Sequence, residues 1–206
     1  MRSDRHLQRL RRICSRHIFE RDADWQYGLD GDIQTRLFVD LMEAAHVDAT
    51  LAGLSRLMAE FVQDRISEPI GFVAGPKRGN SLLIRETARR LGRHSAFVKQ
   101  QPLFNRWIEG PIDPGSPALV VDDVASDGEL LLSVVERLRD QGHRVIAVIV
   151  LIDRDEGNSR LLLREQAVDF HYMMSASDDD LRRIRAEAAR GFDADRGGQV
   201  GPPVDR

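Results

Sequence analysis

The sequence predicts an α/β protein, a mostly parallel sheet flanked by helices. Three observations carry this. Short apolar runs recur at 70–74, 118–121 and 144–152, the last of them the most hydrophobic. Stretches with apolar residues at helical spacing separate them, as in 82–91 and 129–139. The runs do not alternate with polar residues, which suits strands covered by helices on both faces.

Each element follows in chain order. Residues 4–19 read as a helix opened by Ser3 or Asp4, with Leu7, Leu10, Ile13, Cys14 and Ile18 on one face and arginines on the other. The stretch 22–34, with Trp25 and Tyr27 among glycines and aspartates, reads as a loop with aromatic anchors, and 36–40 as a short strand. The stripe Leu51, Leu54, Leu57, Met58, Phe61 and Val62 marks a helix over 49–65 with Asp48 as its cap. Strands are expected at 96–98 and 168–173, and a charged helix runs from Asp178 to about Arg190. Residues 191–206 lack apolar periodicity and read as a disordered tail.

Composition narrows the function. The 206 residues fit one domain, and 42% hydrophobic residues fill a sizeable core. Net charge is −3, so no basic field points to nucleic acid. Cys14 is the single cysteine, which excludes an internal disulfide and suits a reducing, cytoplasmic compartment. No run spans a bilayer, and the N-terminus carries no secretory signal pattern. Only two lysines occur, Lys77 and Lys99, among the 30 basic residues. The histidines show no paired metal-ligand spacing, and no serine sits in a glycine elbow.

The ends of parallel strands are where such sheets bind ligands, which singles out loops 75–80, 122–128 and 153–157. The sharpest signal is ALVVDDVASDGELL, residues 118–131. An apolar strand delivers Asp122 and Asp123 and then a glycine loop onto a helix N-terminus. Paired carboxylates there can accept hydrogen bonds from vicinal sugar hydroxyls or hold a hydrated Mg²⁺, and the loop amides can bind a phosphate just beyond. The competing reading is structural, two aspartates ending a strand and capping a turn.

The order of motifs resembles type I phosphoribosyltransferases, the orotate members most closely. The likeness runs from about Tyr27 to Leu181 and rests on YGLDGDIQTRLFVD, IGFVAGPKRGNSLL, FVKQQPLFNRWIEG, IEGPIDPGSPALVVDD and LIDRDEG. It implies one domain over 1–190, with a helix and hood segment at 1–47 and a core at 48–190. It further implies phosphoribosyl pyrophosphate (PRPP) as substrate, Mg²⁺ as cofactor, a nitrogenous base as acceptor in nucleotide metabolism, and a homodimer. The resemblance gives Asp122 and Asp123 to the ribose hydroxyls and the metal. Lys77 and Arg78 fall to the pyrophosphate loop, Lys99 to a mobile catalytic loop, and Arg154 to the base. The 5-phosphate falls to Ala125, Ser126, Asp127, Gly128 and Glu129.

The chain also departs from that pattern. Asp127 and Glu129 put carboxylates where the family carries glycine and hydroxyl residues, and Leu130 replaces a hydroxyl. A carboxylate about 4 Å from a phosphate costs on the order of 4 kcal/mol per charge pair at an effective dielectric of 20. The catalytic loop offers Gln100, Gln101, Pro102 and Phe104 where a second lysine and a histidine are expected, leaving Asn105 and Arg106 as polar substitutes. Gly28 stands near the place of a base-flanking lysine. Three functions therefore remain open: a phosphoribosyltransferase of low activity, a non-catalytic nucleotide- or PRPP-binding sensor or partner protein that has kept the fold, or a scaffold subunit whose site is empty.

Overall fold

The computed structural model describes residues 2–20, 27–28, 34–41, 47–103, 106–155 and 157–196. Six strands form the central sheet: β5 (Phe72–Pro76), β6 (His94–Leu103), β7 (Arg106–Glu109), β8 (Ala118–Ala125), β9 (Val145–Arg154) and β10 (Asp169–Ala176). Their order is β10-β9-β8-β5-β6-β7, all parallel except the antiparallel edge strand β7. The expected fold is the observed one.

The sheet separates two core layers, and strand alternation decides which side chain enters which. Val73, Leu119, Val121 and Ile149 face one layer, filled by α1 (Arg2–Cys14), α2 (Asp48–Arg65), α3 (Ser81–Arg90) and α6 (Asp178–Arg196). Phe72, Ala74, Val120 and Val148 face the other, filled by α4 (Glu129–Asp140) and by Leu163 of α5 (Ser159–Glu165). All ten residues of β9 are buried, because neighbours on both edges and helices on both faces leave it no solvent.

Several boundaries differ from the sequence reading. The first helix ends at Cys14, and Ile18 instead opens β1 (Ile18–Glu20), antiparallel to β4 (Leu37–Val39). That helix docks on its own chain, burying Leu10 and Cys14 completely. Neither Ser3 nor Asp4 caps it from outside, since both lie in its first turn. Asp48 is likewise the first residue of α2 rather than its cap, which is Val47. The strand at 96–98 extends to ten residues and turns back as β7, a partner that its polar, proline-containing sequence concealed.

Two further short strands, β2 (Tyr27–Gly28) and β3 (Gln34–Thr35), form a ribbon of their own. The aromatic-anchored loop and the polar residue Asn105 fall outside the described residues, apart from those two strands. Helix α6 runs to Arg196, and 197–206 lie outside the described residues. Among the described residues, no helix is long and apolar enough to cross a membrane.

Candidate functional site

The strand order places a crevice at one end of the sheet. From β5 the chain passes through α3 to β6 on one side, and from β8 through α4 to β9 on the other. Helices α3 and α4 lie on opposite faces, so the carboxyl ends of β5 and β8 diverge into a topological switch point. Asn80, at the end of the β5–α3 connection, bridges it by donating its Nδ2 hydrogen to Asp122 Oδ1.

Asp122 and Asp123 do not end their strand, as their sequence position suggested. Strand β8 continues to Ala125, with Asp122 in register with Val150 of β9, because the neighbouring strand supplies backbone partners that far. Asp122 is therefore only 3% exposed. Its carboxyl is pushed well above the usual carboxylate range, first by burial and then by the charge of Asp123. Asp123 is raised too, mainly by burial, with Asp40 adding repulsion. The Asp123 amide donates to Asp122 Oδ1 at 2.8 Å. Asn80 Oδ1 is buried and has no hydrogen-bond partner among the described residues. Two carboxylates held against repulsion, beside an orphaned amide oxygen, suit a hydrated divalent cation that retains most of its waters. Among the described residues no group of three or more His, Cys, Asp or Glu side chains forms a closed metal cage.

The lysines converge on the same end of the sheet. Lys77 follows β5 and Lys99 lies within β6, and both Nζ atoms pair with Glu109 of β7, at 2.6 and 2.7 Å. Arg78 is exposed in the loop between β5 and α3. On the other flank, the Asp127 carboxylate accepts the Glu129 amide at 3.0 Å and so sits on the first turn of α4. Glu129 itself is exposed. Gly128 takes a left-handed φ of 91°, and a Cβ there would lie 2.6 Å from Ser159 Cα. A Cβ on Gly157 would collide with the Ser126 carbonyl oxygen, which also accepts the Ser159 hydroxyl at 3.1 Å. The 126–128 loop, which follows Ala125 at the end of β8, is thus wedged against the 157–159 loop rather than spread open.

Comparison with known proteins places this geometry. No family model matches the chain. It is 36% identical over 129 residues to the orotate phosphoribosyltransferase of Halobacterium salinarum, covering 61% of this chain and 71% of that one. It is 32% identical over 136 residues to that of Natronomonas pharaonis, covering 65% and 77%. The chain belongs to the orotate phosphoribosyltransferase family. Solved structures agree in fold. The orotate phosphoribosyltransferase of Aeropyrum pernix superposes with a TM-score of 0.69 at 21% identity, over 87% of this chain and 99% of that one. That of Mycobacterium tuberculosis, solved with PRPP, gives 0.64 at 21% identity, over 85% and 98%.

Within this family frame, Arg154 stands apart from the other site residues. It is 2% exposed, and its guanidinium donates to the Leu37 carbonyl at 3.2 Å and pairs with Asp178. Thr35 donates its hydroxyl to the same Asp178 oxygen at 2.7 Å. These contacts tie β3, β4 and the start of α6 to the end of β9. That is the work of a clamp between the N-terminal segment and the core. Within the expected catalytic loop, Lys99 through Leu103 belong to β6, whose pairing with β7 shifts register between Val98 and Leu103.

Sequence reasoning missed two residues. Asn80 was legible only as part of GPKRGNS, although a polar residue just before an apolar helix at a switch-point loop was a usable signal. Glu109 carried no signal at all, since its partners lie 32 and 10 positions away.

Proposed function

We propose that the protein binds PRPP or a closely related pentosyl phosphate with Mg²⁺ and transfers the pentosyl phosphate to a nitrogenous base, at low activity. The observation that carries this reading is the acidic pair Asp122 and Asp123 in β8, bridged by Asn80 to the β5–α3 connection that also carries Lys77. Asp122 and Asp123 would hold the ribose hydroxyls and, through water, a Mg²⁺ ion, which when bound would supply charge neutralisation for the pyrophosphate. As the base nitrogen bonds to the anomeric carbon, the bond to pyrophosphate breaks. Lys77 and Lys99 then stabilise the leaving group's growing charge. Arg78 lies at the mouth of the same loop. The 125–129 segment offers its amides to the 5-phosphate, and Arg154, held at the end of β9 by Asp178, lies on the side expected to face the base.

Asp127 favours the second reading, a sensor that has kept the pocket. Its carboxylate already occupies the Glu129 amide that a phosphate needs. Low affinity for PRPP is the consequence in either case. A homodimer, with the β6–β7 hairpin near the neighbour's crevice, belongs to the same proposal.

Calorimetric titration with PRPP and Mg²⁺, against an Asp122→Asn, Asp123→Asn double variant, tests this. Binding in the wild type that the double variant abolishes supports it. No binding at millimolar PRPP overturns it and leaves the fold without that ligand.

A further inference from the structure

Both lysines of this lysine-poor chain end on a single carboxylate. Lys77 reaches Glu109 Oε2 and Lys99 reaches Oε1, so one anion bridges two ammonium groups. The backbone fixes this triangle. Pro76 pairs with Val98 across β5 and β6, Phe97 pairs with Glu109 across β6 and β7, and the Lys77 amide donates to the Val98 carbonyl at 2.7 Å. Lys99 has only 10% of its side chain exposed, whereas Lys77 and Glu109 are more open, at 47% and 37%.

Two ammonium groups held this close repel each other unless an anion stands between them. One carboxylate supplies a single negative charge against two positive ones, so the position remains attractive to a more highly charged anion. Glu109 is a poor ligand for six ammonium hydrogens, and a diphosphate, with more charge and more acceptor oxygens, is a better one.

We propose that Glu109 is an internal stand-in for a polyphosphate: it keeps Lys77 and Lys99 paired until a pyrophosphate-bearing ligand displaces it. A tethered carboxylate competes at high effective concentration, so it excludes weakly charged anions and yields to chelating ones. Glu109 is then a specificity-determining residue of the crevice. Mild acid does not open the bridge, because Lys77 first and Lys99 second hold the Glu109 carboxyl down to about 2. Only a competing anion does. The inference rests on the phosphoribosyltransferase reading for the identity of the ligand, while the bridge itself does not depend on it.

The test uses inorganic pyrophosphate without metal, titrated into the full chain and the Glu109→Gln variant. The variant is expected to bind about tenfold more tightly, the release of a tethered competitor. Adding Lys99→Met to Glu109→Gln is expected to cancel the gain, which a general loss of surface charge would not explain. With lysine labelled at Cε, the wild type gives two side-chain signals, and both are expected to move together as pyrophosphate binds. Unchanged or weaker binding by Glu109→Gln overturns the proposal and makes Glu109 a structural bridge. Parallel titration with PRPP and Mg²⁺ separates the two readings. If neither protein binds PRPP but the variant gains pyrophosphate, the enzyme reading fails and the stand-in survives. If the wild type binds PRPP and the variant gains nothing for either ligand, the stand-in fails alone.

Discussion

Asp122 carries a cost at neutral pH that protonation relieves. A carboxyl whose folded pKa is raised binds its proton more readily folded than unfolded, so the cost is absent below the ordinary value of 3.8 and fully present above the raised one. Its contribution to stability therefore declines as pH rises through that window. Asp122→Asn is expected to raise the melting temperature at neutral pH by about 2–4 °C, the response of a domain this size to roughly 1 kcal/mol, while abolishing Mg²⁺-dependent binding. A calorimetric scan of both proteins from pH 4 to 8 checks it, and the difference between them should shrink toward the acid end. Asp127 poses the opposite case. Asp127→Ala removes the acceptor of the Glu129 amide and is expected to cost about 1 kcal/mol. If the carboxylate blocks a phosphate position, the same variant binds PRPP more tightly. Loss of both stability and affinity would instead mark Asp127 as structural.

At the scale of elements, one buried ion pair anchors β3 and β4 to the core. Arg154 ends β9 in a buried position, Asp178 opens α6, and Thr35 and Leu37 close the network from β3 and β4. Asp178→Ala removes the carboxylate paired with a buried guanidinium, and a loss of about 3–5 kcal/mol is expected in urea unfolding. Arg154→Met removes the charge along with its desolvation and is expected to cost less. Equal losses in the two variants would show that packing, rather than the uncompensated charge, sets the penalty. The β6–β7 hairpin shows the same dependence on neighbours. Its edge is held by Arg137 of α4, whose guanidinium lies 3.8 Å from the Trp107 ring centroid.

The whole molecule is one doubly covered sheet whose most buried strand, β9, adjoins the strand that bears the acidic pair. Ile149→Ala, in register with Val121 beside the acidic pair, is expected to cost about 2–5 kcal/mol in urea unfolding through the cavity it leaves. The proposed homodimer predicts a sedimentation mass twice the 23.3 kDa of the chain, and a monomer at working concentration would exclude catalysis shared across subunits. Cys14 is fully buried, and burial pushes its thiol up to about 12, which leaves it unreactive.

By itself the sequence determined the parallel architecture, the position of Asp122 and Asp123, and the family. Buried strands and amphipathic helices are written in apolar spacing, and an acidic pair beside a glycine loop is a local motif. Tertiary structure alone decided what these groups touch. The aspartates lie inside β8 because β9 supplies their backbone partners, Arg154 turns to Asp178, Asp127 folds onto the Glu129 amide, and the hairpin emerges from a stretch that reads as a loop. Glu109 is the plainest case. Its bond to Lys77 spans 32 residues, and only the pairing of three strands brings that carboxylate between the chain's two lysines. Charge is a property of residues, but its cancellation depends on distance through space, which no local pattern encodes.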